Sequence, residues 1–396
     1  MLSRKRVVVT GLGAVSAAGR GVGPFWRACV EGQSMLRPIS RFDANEYGSP
    51  PAGEVPPGGN ASENAVAEYT LDAVREAILQ SGLRADTDTS SMGIVLGTCL
   101  GEAEAAFECL RANASETSRP AQRPVNRPLG FASPTERVAE AFGLSGPALT
   151  LSSACASGTS AMGVAADCIR RGEASTMLVC GVEMLSRFVV SGFWLLRALT
   201  STVVRPFDRR RDGLALGEGA GVLVLEERDR ALRRGATALA EVLGSASSGD
   251  AHHMTGPSPT GDGLVRAIEG ALRDARDFPG KVDFISAHGT GTRYNDLMET
   301  IAIKRVFRED AHGIPVVSIK PVVGHTLGAA GALDAIVSVK VLREGVVPPT
   351  INYGEPDPEC DLDYVPNCAR SQPVSRVLSC SSAFAGNNSA VLMATP

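Results

Sequence analysis

One plan of strand, small-residue turn and Ala-rich helix is written twice in this chain, and that repetition restricts its fold most. The first copy is the strand-like run Leu149-Thr150-Leu151-Ser152-Ser153, which breaks at Ala154-Cys155-Ala156-Ser157-Gly158. Met162, Ala165, Ala166 and Ile169 then recur at helical spacing. The second copy runs from Val316 to Ile319, through Gly324-His325-Thr326, into an Ala-rich helix over Leu327 to Leu342. Leu239 to Leu243 with Gly244-Ser245 echoes the opening strand and its glycine-rich turn, and Val282 to Ala287 echoes Met92 to Gly97. Repeated βαβ units predict a layered α/β fold with two parallel-rich sheets around buried helices. The halves are expected at 1–235 and 236–396, with the charged stretch from Arg228 to Gly235 as the junction. A pseudo-twofold relation between them brings Cys155 and His325 towards one centre.

The turn gives Cys155 a chemical meaning. A sulfur at a helix N-terminus meets unpaired N–H groups and the positive end of the helix dipole, which favour thiolate over thiol. Such a cysteine attacks carbonyls at neutral pH, and Ser157 and Gly158 are small enough for a thioester to approach the backbone. Taken alone, Cys155 reads more readily as a buried core cysteine, the commoner fate of such a residue.

Composition removes several classes. A net charge of −4 offers no basic surface for nucleic acid. Nine cysteines show neither C-x-x-C nor zinc spacing, as in a reducing compartment. Met1 to Val9 superficially mimics a signal peptide, but Gly11 and Gly13 break the apolar run, so it reads as a first strand and turn. No run approaches the roughly 18 apolar residues of a membrane span. The expectation is a cytoplasmic protein bound to neither nucleic acid nor membrane. Residues 45 to 62 read as a surface loop, and residues 112 to 135, rich in proline, as a long excursion of functional or interface character.

Three later stretches join the cysteine: Ala287-His288-Gly289-Thr290-Gly291-Thr292, Ser318-Ile319-Lys320-Pro321-Val322-Val323-Gly324-His325, and Ala383-Phe384-Ala385-Gly386-Asn387-Asn388. With these in view the chain resembles a β-ketoacyl-acyl-carrier-protein synthase, an elongating condensing enzyme of the thiolase fold, from Val7 to Met393. The resemblance implies a five-layered αβαβα architecture of two pseudo-symmetric halves. It implies an acyltransferase in which Cys155 takes an acyl group from a carrier-protein thioester and a decarboxylated malonyl thioester attacks it. His288 and His325 are then expected beside the malonyl carbonyl, and Lys320 as a fixed charge orienting them. Thr290 and Thr292 are expected on the phosphopantetheine arm of the carrier, with no intrinsic cofactor and no metal. Phe384 is expected to gate the acyl pocket and, with Cys155, to supply oxyanion-hole N–H groups. Asp296 and Glu299 support the His288 loop, Asp334 lies on the helix after His325, and His252 and His253 match a second gating loop. The partners implied are an acyl carrier protein and either an identical subunit or a ketosynthase-like relative.

Several positions depart from the family pattern. Phe384-Ala385-Gly386-Asn387-Asn388 stands where Phe-Gly-Gly-Thr-Asn is usual, and Asp334 where glutamate is common. The segment from Ala198 to Pro206 is shortened, and Ala105 and Ala106 occupy the stretch expected to line the acyl tunnel. These tilt the reading to a specialised polyketide or polyene pathway. Housekeeping fatty acid elongation, a non-elongating partner subunit and a thiolase remain the alternatives. The arginines Arg205, Arg209, Arg210 and Arg211 are flanked by Asp208 and Asp212 and read as solvated surface rather than a carrier-docking patch.

Overall fold

A computed structural model describes residues 4–57, 65–83, 91–106, 130–276 and 281–396. Ten strands carry the architecture as two sets of five. In the first set β3 (Ala148–Leu151), β2 (Met92–Gly97), β4 (Thr176–Glu183), β5 (Gly219–Glu227) and β1 (Val7–Ser16) lie side by side in that order. In the second, β8 (Val316–Val317), β7 (Phe284–Ser286), β9 (Arg376–Ser382), β10 (Asn387–Ala394) and β6 (Ala240–Gly249) repeat it. The sets join where Val7, Val8 and Val9 pair antiparallel with Val242, Glu241 and Ala240.

Each set is mixed rather than parallel-rich. Its first three strands run parallel, and its last two pairings are antiparallel. In the second set the reason is the connection. β10 follows β9 through the short turn at Ala383–Gly386, which leaves no room for the crossover that parallel strands require.

Helix α1 (Ala65–Ser81) covers the outer face of the first set, and α4 (Asp262–Ala275) and α5 (Arg293–Phe307) that of the second. Between the sets lie α2 (Ser157–Arg171) and α7 (Ala330–Glu344), giving the αβαβα order. α7 is buried on almost every face, which only a helix of small and apolar residues tolerates. Two shorter helices, α3 (Arg187–Leu195) and α6 (Lys320–Val323), approach the site.

The repeat extends to details. β1 does not end in a turn at Gly11 but continues to Ser16. A Cβ on Gly11 would lie 2.1 Å from the Ala77 carbonyl oxygen of α1, and one on Gly13 1.8 Å from that of Ala73. The glycines admit a packed helix, not a phosphate. In β6, Gly244 does the same for α4, 2.3 Å from the Ala271 carbonyl oxygen, and both strands shift register at this point. The stretch from 45 to 57 is no simple surface loop. Pro51–Gly53 pairs with Leu216–Gly217, and Ala52, Gly53 and Val55 are buried. Residues 58–62, and the expected excursion up to residue 129, lie outside the described residues.

Candidate active site

The site forms where the ends of β2, β3, β7 and β9 converge with the N-termini of α2 and α7. Cys155 sits two residues ahead of α2, in a turn that puts Ala154 at φ 51°. A residue with a Cβ pays for that conformation. Ser157 holds the turn closed: its hydroxyl accepts from the Ser153 N–H at 2.9 Å and donates to the Ala154 carbonyl at 2.5 Å. Gly158 has a packing role rather than a substrate-facing one, because its Cβ would lie 2.7 Å from the Ala332 nitrogen of α7.

His288 follows β7 and His325 follows α6; their rings meet edge-on with centroids 5.1 Å apart. Glu299 of α5 accepts the His288 and Gly289 N–H groups at 2.6 and 2.8 Å, which fixes the backbone carrying the first imidazole. The second is anchored by its own backbone, the His325 N–H donating to the Ala215 carbonyl at 2.7 Å. Both imidazoles are buried and neither Nδ1 has a hydrogen-bond partner. Burial, the Lys320 charge and His325 together hold His288 well below the ordinary histidine range, so its ring is neutral.

Cys155 is 6 % exposed and poised as a thiolate. A hydrogen bond from the Cys99 thiol, the contact with His325 and the positive charge of Lys320 hold its pKa well below that of an ordinary thiol, against the opposing effect of burial. Lys320 lies behind the imidazoles at the start of α6, 2 % exposed, with its Nζ 3.7 Å from Asp334 Oδ2 on α7. Burial raises the Asp334 carboxyl and Lys320 opposes that rise.

Asp296 organises the adjoining loop: Oδ1 accepts the Thr290 N–H at 3.0 Å and Oδ2 the Phe207 N–H at 2.8 Å. Thr290 and Thr292 point their hydroxyls at each other, 2.8 Å apart. Phe384 stacks on Phe193 of α3 at 5.4 Å between centroids. Its loop is tied to the 250s loop by the Ala385 N–H on the Met254 carbonyl and the Asp250 N–H on the Gly386 carbonyl.

A cavity of about 410 Å³ gathers Cys155, His288, His325, Thr290, Thr292 and Phe384 on one lining, with His253 at its rim. Lys320, Asp296 and Asp334 are not on that lining. The His253 Nδ1 accepts the Thr255 and Gly256 N–H groups. Arg209, Arg210 and Arg211 are engaged by Glu355, Asp208 and Asp357.

Three participants escape sequence reasoning. Phe193 is one of three aromatics in an apolar helix, and Cys99 is one cysteine among nine. Glu183 was detectable as the lone acid closing the buried strand β4. It accepts the Cys99, Leu100 and Gly328 N–H groups at 2.6, 3.2 and 3.2 Å, and burial pushes its pKa up to about 7.

A cysteine of lowered pKa and two buried imidazoles on one cavity, with a lysine behind them, are suited to acyl transfer and to stabilising a developing oxyanion. The sequence matches the beta-ketoacyl synthase N-terminal domain over residues 61–231 and its C-terminal domain over residues 239–354. The chain belongs to the beta-ketoacyl synthase family. It is 40% identical over 418 residues to the tetracenomycin polyketide synthase ketoacyl synthase alpha subunit of Streptomyces glaucescens, covering 100% of this chain and 98% of that one. It is 36% identical over 415 residues to 3-oxoacyl-[acyl-carrier-protein] synthase 2 of Coxiella burnetii, covering 99% of each. Among solved structures, the ishigamide ketosynthase/chain length factor superposes with a TM-score of 0.93 at 37% identity over 100% of both chains. A ketosynthase in complex with a type II polyketide acyl-carrier protein does so at 0.92 and 35%, also over 100% of both. This synthase is thus a condensing enzyme of the acyltransferase type with a thiolase-like fold. Among the described residues no helix is long and apolar enough to cross a membrane.

Proposed function

We propose that this synthase performs a decarboxylative Claisen condensation with Cys155 as nucleophile, in a type II polyketide pathway. The observation that carries the reading is the common cavity of Cys155, His288 and His325, with Phe384 on the same lining. The Cys155 thiolate attacks the thioester carbon of an acyl group on the phosphopantetheine arm of an acyl carrier protein. The tetrahedral oxyanion is held by the Cys155 and Phe384 N–H groups, and the carrier thiol leaves. A malonyl thioester then places its carbonyl oxygen against the imidazoles, with the arm beside Thr290 and Thr292. Breaking the bond to the carboxylate releases carbon dioxide and leaves its electron pair as an enolate, which His288 and His325 stabilise. The enolate carbon attacks the acyl-cysteine, Cys155 leaves as thiolate, and a β-ketoacyl carrier thioester two carbons longer results.

Lys320 and Asp334 position the imidazoles. Asp296 and Glu299 hold the loop that carries His288, Thr290 and Thr292. The repeated strand order supports a division of the chain into halves 1–235 and 236–396. The unpaired cysteines among the described residues suit a cytoplasmic enzyme. The partners are an acyl carrier protein and a second ketosynthase-like subunit, identical or cysteine-less. Fatty acid elongation is the second reading, favoured by the relative named a 3-oxoacyl synthase. The test is intact-protein mass spectrometry after mixing with a panel of acyl-carrier thioesters, then with malonyl carrier. An acyl adduct on Cys155 that malonyl carrier discharges supports the reading, and the preferred acyl group separates the pathways. No adduct, with or without a partner subunit, overturns it.

A further inference from the structure

A second cavity, of about 450 Å³, shares no lining residue with the first. It lies between residues 35–41, residues 52–57 and the start of α1. Its volume falls within the roughly 300–1,000 Å³ of small-molecule sites. Met35, Val55, Pro56 and Pro57 give it apolar walls beside Tyr69, and three arginines and two glutamates supply its charge. Four of those five are committed. Glu68 is paired with Arg20, and Arg41 with the buried Glu218 and, at 3.0 Å, with the Tyr69 hydroxyl. Glu54 accepts the Ser40 and Arg41 N–H groups at 3.0 and 2.8 Å. Arg37 differs. It donates to the Ser34 and Leu36 carbonyls through Nη1 alone, and forms no ion pair among the described residues. The uncommitted charge on the lining is therefore a cation with Nε and Nη2 to offer, a fork that matches a carboxylate.

The walls of this cavity also hold the backbone that carries Lys320 and His325. The Met35 N–H donates to the Val322 carbonyl and the Ser34 hydroxyl to the Pro321 carbonyl, each at 2.8 Å, so the chain entering Arg37 supports α6. Ala52 and Gly53 pair with Leu216 and Gly217, and the Gly217 N–H donates to the His325 carbonyl at 2.9 Å. A Cβ on Gly53 would lie 2.0 Å from the Val323 carbonyl oxygen, so this strand pair presses directly on the end of α6. We propose that the cavity is a second ligand site, taking a small carboxylate with an apolar body, and that its occupancy stiffens the backbone bearing Lys320 and His325. Hydrolysis of an acyl thioester releases acids of this class. A ligand spanning Arg37 and residues 52–57 ties together two supports of α6, and the tie is read as slower local opening.

The experiment uses the full chain with octanoate and 2-naphthoate as probes, and octanamide and inorganic phosphate as controls. Titration calorimetry reads binding and hydrogen–deuterium exchange reads the backbone; neither depends on turnover at Cys155. The expected result is saturable binding of at least one carboxylate, with slowed exchange over residues 34–41 and 320–325. The tighter of the two probes tells whether the apolar body is aliphatic or aromatic. Arg37→Glu is expected to weaken that binding about ten- to a hundred-fold, the loss of one charge-assisted contact, and to erase the slowing. Arg37 is exposed, so the variant is expected to unfold at the wild-type urea midpoint. Alkylation of Cys155 with iodoacetamide is expected to leave binding intact, which separates this cavity from the one at Cys155. No saturable binding of either acid, equal binding by Arg37→Glu, or binding abolished by alkylation overturns the proposal. So does octanamide or phosphate binding as tightly as the acids, and slowing confined to residues 34–41 overturns the link to α6.

Discussion

The two halves of the synthase build the same corner and place different chemistry in it. In the first, the chain leaving β2 presents Cys99, and the turn before α2 presents Cys155. In the second, the chain leaving β7 presents His288, and the turn before the Leu327–Ala329 and α7 helices presents His325. Behind each first residue stands a buried glutamate that accepts two consecutive backbone N–H groups: Glu183 for Cys99 and Leu100, Glu299 for His288 and Gly289. Burial pushes both carboxyls up to about 7. The scaffold is therefore duplicated, and what differs is a thiol pair facing an imidazole pair. In the proposed mechanism covalent attachment belongs to the first corner and enolate stabilisation to the second.

Removing one corner at a time separates the two half-reactions. Cys155→Ala is expected to lower condensation at least roughly ten-thousand-fold, because no other group can carry the acyl chain. Malonyl decarboxylation, followed as carbon dioxide release, continues in part, since the imidazoles remain. Undiminished product would break the assignment. His325→Ala is expected to keep the acyl adduct on Cys155 but to lose condensation by roughly a hundred- to a thousand-fold, the cost of one missing oxyanion donor. A variant that cannot be acylated at all would show that the corners are not independent.

The second corner differs also in holding a buried ion pair. Lys320→Met leaves the Asp334 carboxylate without its cation and is expected to destabilise the protein by about 3–5 kcal/mol in urea unfolding. The double variant Lys320→Met with Asp334→Leu is expected to regain most of that stability while condensation stays low. Full activity in the double variant would make the pair structural only.

The duplicated glutamates predict a shared pH signature. Both carboxyls titrate in the folded state at about 7 and in the unfolded chain near their ordinary value of 4.5. Their folded-state pKa is raised, so the stability they contribute is complete below about 4.5 and is lost as pH rises through about 7. Glu183→Gln and Glu299→Gln are each expected to flatten the fall of the urea midpoint across that window relative to wild type. A change in only one variant would mean that the two clamps are not equivalent.

Much of this was legible because apolar period and small residues are local. The strands Met92–Gly97 and Val316–Val317, the Ala-rich α2 and α7, and the residues at the cavity all stand in short recognisable stretches. What was illegible depends on distant partners. Gly11 and Gly13 read as a turn, yet they are glycine because α1 presses on β1. Gly158 reads as room for a thioester but makes room for α7. Phe193 and Cys99 matter only through what the fold sets beside them, and neither carries a local pattern. The mixed strand directions likewise follow from connection lengths, which periodicity does not encode.

The last difference between the halves is the closing turn. Only the second set joins its antiparallel pair through a short turn, and that turn lines the cavity on which the thiol of the first opens. Ala385 within it adopts φ 60°, where glycine is usual in the family and where a Cβ costs about 1 kcal/mol. The turn is held nevertheless by the Ala385 N–H on the Met254 carbonyl, and it carries the Phe384 ring stacked on Phe193. Ala385→Gly is therefore expected to raise stability by about 0.5–1 kcal/mol, since it removes strain without removing a contact. Phe193→Ala removes a contact without relieving strain, and is expected to speed loss of the acyl group from Cys155 to water by a factor of roughly ten or less. Thermal unfolding and the decay of the acyl adduct check the two. Should Ala385→Gly lower stability instead, the left-handed conformation is not strained in the closed turn. Phe384 would then be held by packing on α3 alone, and the gate would belong to the first half rather than the second.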